Sequence, residues 1–177
     1  MAAAALSLVP GRAHSDDQPP EPVPESPELA AEAARGERGF DEMVVVRRRE
    51  INPSHVYTYH VEGFSAGGGL GIVSLRDPER RFRELTASPD GQILDCDVSF
   101  DGREILFSWR RTQRDGYQIF AVQADGGRLR QLTKGEHHNY NACWLPDGGI
   151  AFLSTRSSRF AYCWVSPVGV LHRMERD

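Results

Sequence analysis

Ser99-Phe100-Asp101-Gly102-Arg103-Glu104-Ile105-Leu106-Phe107-Ser108-Trp109-Arg110 is a turn followed by a strand, and it recurs. Asp-Gly suits a tight hairpin because glycine takes positive φ without steric cost. Ile105, Phe107 and Trp109 then alternate onto one face, the pattern of a half-buried strand. The partner run is Leu145-Pro146-Asp147-Gly148 followed by Ile150-Ala151-Phe152-Leu153, displaced by 46 residues at the turn and by 45 after it. Working outward, Arg83-Glu84-Leu85-Thr86 returns as Arg130-Gln131-Leu132-Thr133, and Ile72-Val73-Ser74-Leu75 aligns with Ile119-Phe120-Ala121-Val122, both at an offset of 47. Each turn-strand unit ends near arginine, at Arg110-Arg111 and at Arg156.

Between these markers, residues 117–122 read as a third strand, Asp125-Gly126-Gly127 as a turn, and residues 129–133 as a fourth strand. Four strands in about 46 residues, repeated, are expected of a β-propeller blade. A parallel α/β fold needs helices of ten or more residues between strands, and no such periodicity is present. Ser88-Pro89-Asp90-Gly91 lies too close to Asp101 to begin its own unit and reads as a connector between blades. The expected class is therefore all-β, a propeller fragment of about three four-stranded blades over residues 39–177. Leu171-His172-Arg173-Met174-Glu175-Arg176-Asp177 matches residues 119–125 at an offset of 52, so the last blade is expected to lack its outer strand. Propellers close with about four to eight blades, so remaining blades are expected as partners for closure.

Ahead of this body lies a different composition. Residues 1–37 carry seven acids and two bases, a net of −5, whereas residues 38–177 carry +1. Six of the eleven prolines fall between Pro10 and Pro27. Proline and glutamate without a core-forming pattern do not offset the entropy of ordering, so residues 1–38 are expected to be a disordered leader. Residues 28–35 could form a helix of about two turns, marginal alone. Met1 to Pro10 resembles the apolar half of an export signal without its basic stretch; a weak signal, a start further upstream and a tail all remain open.

A near-neutral body without a basic stripe predicts no nucleic-acid partner. Arg47-Arg48-Arg49 follows three valines and reads as a strand end at the solvent. No stretch reaches the ~18–20 apolar residues that span a bilayer as a helix. Cys96, Cys143 and Cys163 make no disulfide framework, although the equivalent positions of Cys96 and Cys143 leave a pair between them open. There is no Cys-x-x-Cys-His for covalent haem, and no cofactor is expected.

The units resemble the TolB-like propeller repeat, with its aspartate-glycine turns and leucine-threonine outer strand. Residues 145–156, followed by Cys163-Trp164 and residues 168–173, resemble the propeller of proteins related to the hydrazine synthase alpha subunit. The similarity covers about residues 42–177. It implies an exported or periplasmic protein in which the propeller is the middle part of a longer chain. It does not imply hydrazine synthesis, because the haem attachment motif is missing.

Gly63-Phe64-Ser65-Ala66-Gly67 fits the Gly-x-Ser-x-Gly elbow of serine hydrolases, with Asp147 and His172 following in the order Ser, Asp, His. Against it, fewer than about thirty folded residues precede Ser65, where an elbow needs several strands of a parallel sheet. The run after Gly69 is strand-like, and Asp147 belongs to a hairpin. Residues 56–61 read as a strand, which puts His55 and His60 on opposite faces. His137 and His138 are adjacent, so both rarely reach one ion, and no metal site is expected. The leading expectation is a non-catalytic scaffold or binding module without catalytic residues in this chain. Its ligand, a protein or a small molecule, would meet loop ends at Asp95, Asp97, Arg111, His137, His138, Asn141 and Arg156. The alternative is a piece of a larger redox or hydrolytic enzyme with its chemistry on another domain.

Overall fold

The computed structural model describes residues 26–37, 39–55, 58–162 and 165–176. The proline-rich leader and the signal-like start, residues 1–25, lie outside the described residues, as do Cys163, Trp164 and Asp177. Within the acidic leader the expected short helix is present as α1 (Pro27–Ala34), with the Ser26 hydroxyl accepting from the Leu29 amide at 3.4 Å. Proline at the first helical position suits a helix start, since its missing N–H has no partner there in any case. α1 buries no side chain.

Among the described residues ten short strands make three antiparallel sheets. The first sheet holds β1 (Glu42–Arg48), β2 (Gly68–Ser74) and β3 (Phe82–Ala87) in that order. The middle sheet is a four-stranded meander of β4 (Gln92–Val98), β5 (Glu104–Arg110), β6 (Gln118–Gln123) and β7 (Arg130–Gln131). The last sheet holds β8 (Asn139–Trp144), β9 (Ile150–Ser154) and β10 (Val170–Met174), with a 3-10 turn at Thr155–Ser157. The expected fourth strand over residues 129–133 shrinks to the two residues of β7. Ser88 joins β3 to β4 as the connector reading requires, and its hydroxyl accepts from the Trp109 indole at 2.8 Å.

The sheets stack face to face, because β5 and β6 carry apolar side chains on both faces. Ile105, Phe107, Phe120 and Val122 meet Leu70 and Ile72 of the first sheet, with Ile93 between them. Leu106, Ile119 and Ala121 meet Ala142, Trp144, Ile150 and Phe152 of the last sheet. The alternation of Ile105, Phe107 and Trp109 is as expected, but a half-buried strand is not what forms. Leu106 and Ser108, on the opposite face, are also fully buried. Burying each such aliphatic or aromatic side chain contributes about 1.5–3 kcal/mol, which is what holds the sheets together.

The pairing register reproduces the sequence offsets. Ile105 faces Val122 in the middle sheet and Ile150 faces Met174 in the last. These pairs are displaced by 45 and 52 residues, the spacings that align residues 105–108 with 150–153 and residues 119–125 with 171–177.

One expectation fails. Residues 58–61, the described part of the strand-like run, form no strand: Thr58 opens a turn, donating to and accepting from the backbone of His55, and accepting from the amides of Val61 and Glu62. Val56 and Tyr57 lie outside the described residues. The turn is fixed by Glu62, whose carboxylate accepts from the Ser54 amide (2.7 Å), the Ser54 hydroxyl and the Thr58 hydroxyl (both 2.8 Å). The glycine run at 67–69 is explained by the same approach of chains. A Cβ at Gly68, which has φ +116°, would collide with the Arg47 carbonyl, so β2 pairs with β1 only if that position is bare.

Candidate functional site: a cleft at the bulges of β4 and β8

β4 and β8 each carry a β-bulge at the same place in the repeat. In β4 the register shifts between Ile93 and Cys96, and in β8 between Tyr140 and Cys143. A bulge leaves residues unpaired and re-aims their side chains. Here the re-aimed residues include Leu94 and Asn141, which stand 47 apart and line one open cleft of about 310 Å³. Arg48 from the end of β1 and Ile51, Pro53 and Tyr59 from the β1–β2 connection complete its wall.

Asn141 sits at φ +51°, a left-handed conformation uncommon outside glycine and tolerated best by asparagine and aspartate. Four hydrogen bonds hold it there. Its amide donates to the Ser108 hydroxyl (3.0 Å) and to Asp95 Oδ2 (3.1 Å), and its Nδ2 also donates to Asp95 Oδ2 (3.0 Å). Its Oδ1 accepts from the Tyr59 hydroxyl at 2.5 Å. Asp95 Oδ1 accepts from Ser108 Oγ at 2.7 Å. Loss of water around the Asp95 carboxylate pushes its pKa up to about 6, although Ser108 and Asn141 stabilise the anion. A partly buried carboxylate titrating near neutrality beside a cleft is a pattern concentrated at functional sites.

Behind the cleft the β1–β2 connection is clamped to the last sheet. His60 is 1% exposed, stacks on Tyr140 (centroids 4.8 Å, interplanar angle 14°) and meets His138 edge-on at 5.4 Å. Its Nε2 donates to the Pro167 carbonyl at 2.9 Å, which leaves Nδ1 as a buried acceptor without a partner. His138 Nδ1 accepts from the Tyr117 amide at 3.3 Å. Burial lowers the pKa of both histidines, that of His138 to about 4 with further contributions from His60, Arg110 and His137.

Of the expected contact residues, Asn141 lines this cleft, Asp95 supports Asn141 by hydrogen bonds without lining it, and His138 belongs to the clamp behind it. Asp97 accepts from the Trp144 amide at 2.8 Å and joins β4 to β8 structurally. Arg111 lies over the Trp109 and Phe120 rings at 5.1 and 5.3 Å. His137 is exposed, with its carbonyl accepting from Gln118 Nε2 at 2.8 Å. Arg156 donates to Asn139 Oδ1 at 2.8 Å, away from this cleft. Tyr59 and Leu94 are not singled out in the sequence, while Arg48 reads there as part of a strand end and His60 as one of two histidines on opposite faces. The 47-residue offset from Asn141 points to Leu94; nothing local marks Tyr59.

The hydrolase arrangement is not assembled. Residues 63–67 enter β2 without a strand–turn–helix. Asp147 accepts from Gly149 (3.0 Å) and from Arg173 (3.2 Å), and the His172 ring stacks on Phe152 at 5.7 Å. Cys96 and Cys143 are free. Among the described residues no group of three His, Cys, Asp or Glu side chains is placed to hold a metal, and no helix is long and apolar enough to cross a membrane.

No family model matches the chain. It is 33% identical over 75 residues to dipeptidyl-peptidase 5 of Porphyromonas gingivalis, a match covering 42% of this chain and 10% of that protein. Among solved structures it is similar to a TolB-assigned protein of Agrobacterium tumefaciens, with a TM-score of 0.47 and 20% identity over 61% of this chain and 34% of that one. It is also similar to puromycin hydrolase, with a TM-score of 0.47 and 24% identity over 62% of this chain and 17% of that one. The chain thus spans between 10% and 34% of the length of these three proteins.

Proposed function

We propose that residues 39–177 are β-propeller blades forming a binding module, and that the cleft at the β4 and β8 bulges takes its ligand. The observation that carries this reading is the convergence of Leu94 and Asn141. They are one position of successive repeats, and in a propeller such inner-strand positions of neighbouring blades face the same channel. The cleft pairs an apolar wall (Ile51, Pro53, Leu94) with one exposed cation. Among the described residues the Arg48 side chain makes no hydrogen bond or close ion pair, and its charge acts at longer range on the Asp95 carboxylate. That combination fits a protein or small-molecule ligand presenting an acidic group beside an apolar one. Titrating the full chain with aryl and alkyl carboxylates and their matched amides, followed by amide NMR, tests this. The carboxylates should shift Leu94 and Asn141 selectively, and Arg48→Ala should abolish the effect. Equal shifts with the amides, or shifts insensitive to Arg48→Ala, would refute the reading.

A second reading keeps the blades but places them in a longer enzyme. The 33% identity over 75 residues to a dipeptidyl-peptidase favours a non-catalytic part of a peptidase. The version with a redox enzyme related to the hydrazine synthase alpha subunit, and with it an exported or periplasmic location, rests on sequence resemblance alone. The flanking reading frame decides between these readings: a downstream catalytic domain or haem motif supports the enzyme, and further blades alone support the module.

A further inference from the structure

A second cleft, of about 290 Å³, lies between the outer edge of the middle sheet and the β9–β10 pair. Its floor is apolar, made by Leu132, Phe152 and Met174. Its rim is basic: Lys134, Arg156, His172 and Arg173, with no acidic side chain among the lining residues. Arg173 is matched by Asp147 at 3.2 Å and by Glu175 at 2.6 Å. Lys134 and Arg156 have no carboxylate partner among the described residues, so the rim carries two uncompensated positive charges.

The rim is preorganised. Ser154 caps the Thr155–Ser157 turn, its hydroxyl accepting from the Arg156 amide (3.3 Å) and Nε (2.9 Å). Asn139 Oδ1 accepts from Arg156 Nη2 at 2.8 Å, and the guanidinium carbon lies 5.5 Å from the Phe152 ring centre. Arg156 Nη1 is left to donate elsewhere. Against the same Phe152 ring, His172 is stacked with its Nε2 buried and without a hydrogen-bond partner.

We infer that this cleft binds a multiply charged oxyanion of the phosphate or sulfate type. An oxyanion offers several acceptors to convergent N–H donors, and such charge-assisted bonds are stronger than those between neutral groups. The site is separate from the Arg48 cleft, so either can fail without the other.

The test is an amide and imidazole NMR titration of the full chain with inorganic phosphate, with inorganic sulfate, and with sodium chloride at matched ionic strength. Phosphate and sulfate should give saturable shifts at Lys134, Arg156 and His172, with chloride giving none. Arg156→Gln and, independently, Lys134→Ala at the rim should each weaken binding at least about fivefold. Shifts that do not saturate, that chloride reproduces, that map to the Arg48 cleft, or that survive both substitutions would overturn the inference.

Discussion

The middle and last sheets are built from the same repeat, yet they bury it differently. Ile119 on β6 and Leu171 on β10 occupy the same repeat position; Ile119 is inaccessible to solvent and Leu171 is 71% exposed. The middle sheet is packed on both faces, and the last sheet is packed on the face that meets β5 and β6. Glu104, at the start of β5, takes Arg130 at 2.5 Å and Arg176 at 2.9 Å, tying the outer strand inward. The matching position of the last sheet is Gly149, which has no side chain to do this. Burial in a stacked repeat is therefore a property of the neighbour as much as of the sequence.

The sharpest way to break this comparison is to truncate the two equivalent residues. Ile119→Ala should cost about 2–5 kcal/mol, the range for emptying a core aliphatic site. Leu171→Ala should cost under about 0.5 kcal/mol. Urea midpoints measure both, and equal losses would mean that β10 is covered in solution.

A smaller effect comes from titration, because the two sheets carry opposed groups. His138 has an unfolded pKa of about 6.5 and a folded value of about 4. Its neutral form therefore contributes stability that is full above pH 6.5 and is lost as pH falls toward 4. The direction of the His60 shift acts the same way. Asp95 on β4 runs the other way, with a folded value of about 6, so its contribution is full at acid pH and is lost as pH rises through 6. The wild type should thus vary little between pH 7 and 5. His138→Gln should gain about 1 kcal/mol on that acidification, and Asp95→Asn should lose about 1–2 kcal/mol. Denaturation curves at both pH values in the two variants check the signs.

The smallest expected change is at Ser158, which ends the Thr155–Ser157 turn at φ +50°. Ser158→Gly relieves a left-handed backbone and should stabilise the last sheet by up to about 1 kcal/mol. Calorimetry would register it as a rise in Tm.

Much of the strand arrangement is legible in the sequence, because turn chemistry and period-two alternation are local. The offsets of 45 and 52 residues put Ile150 and Met174 at the repeat positions of Ile105 and Val122, and both pairs form. The bulges are not legible: alternation does not say which residue drops out of the ladder. The clamp is hidden for another reason. Tyr59 meets Asn141 across 82 residues and His60 meets Pro167 across 107 residues, and neither contact leaves a pattern nearby. Residues 58–61 mislead because Thr-Tyr-His-Val has strand-like composition, while Glu62 gathers the Ser54 and Thr58 hydroxyls into a turn.

That clamp also sets an order of events. The docking surface for His60, made by Tyr140, His138 and the Pro167 carbonyl, exists only after the last sheet has formed. A contact that closes a loop of 107 residues carries its entropy cost before any reward, so it belongs late on the route to the native state. As a nascent chain emerges N-terminus first, the first sheet must wait with its long connection undocked until residue 167 is available.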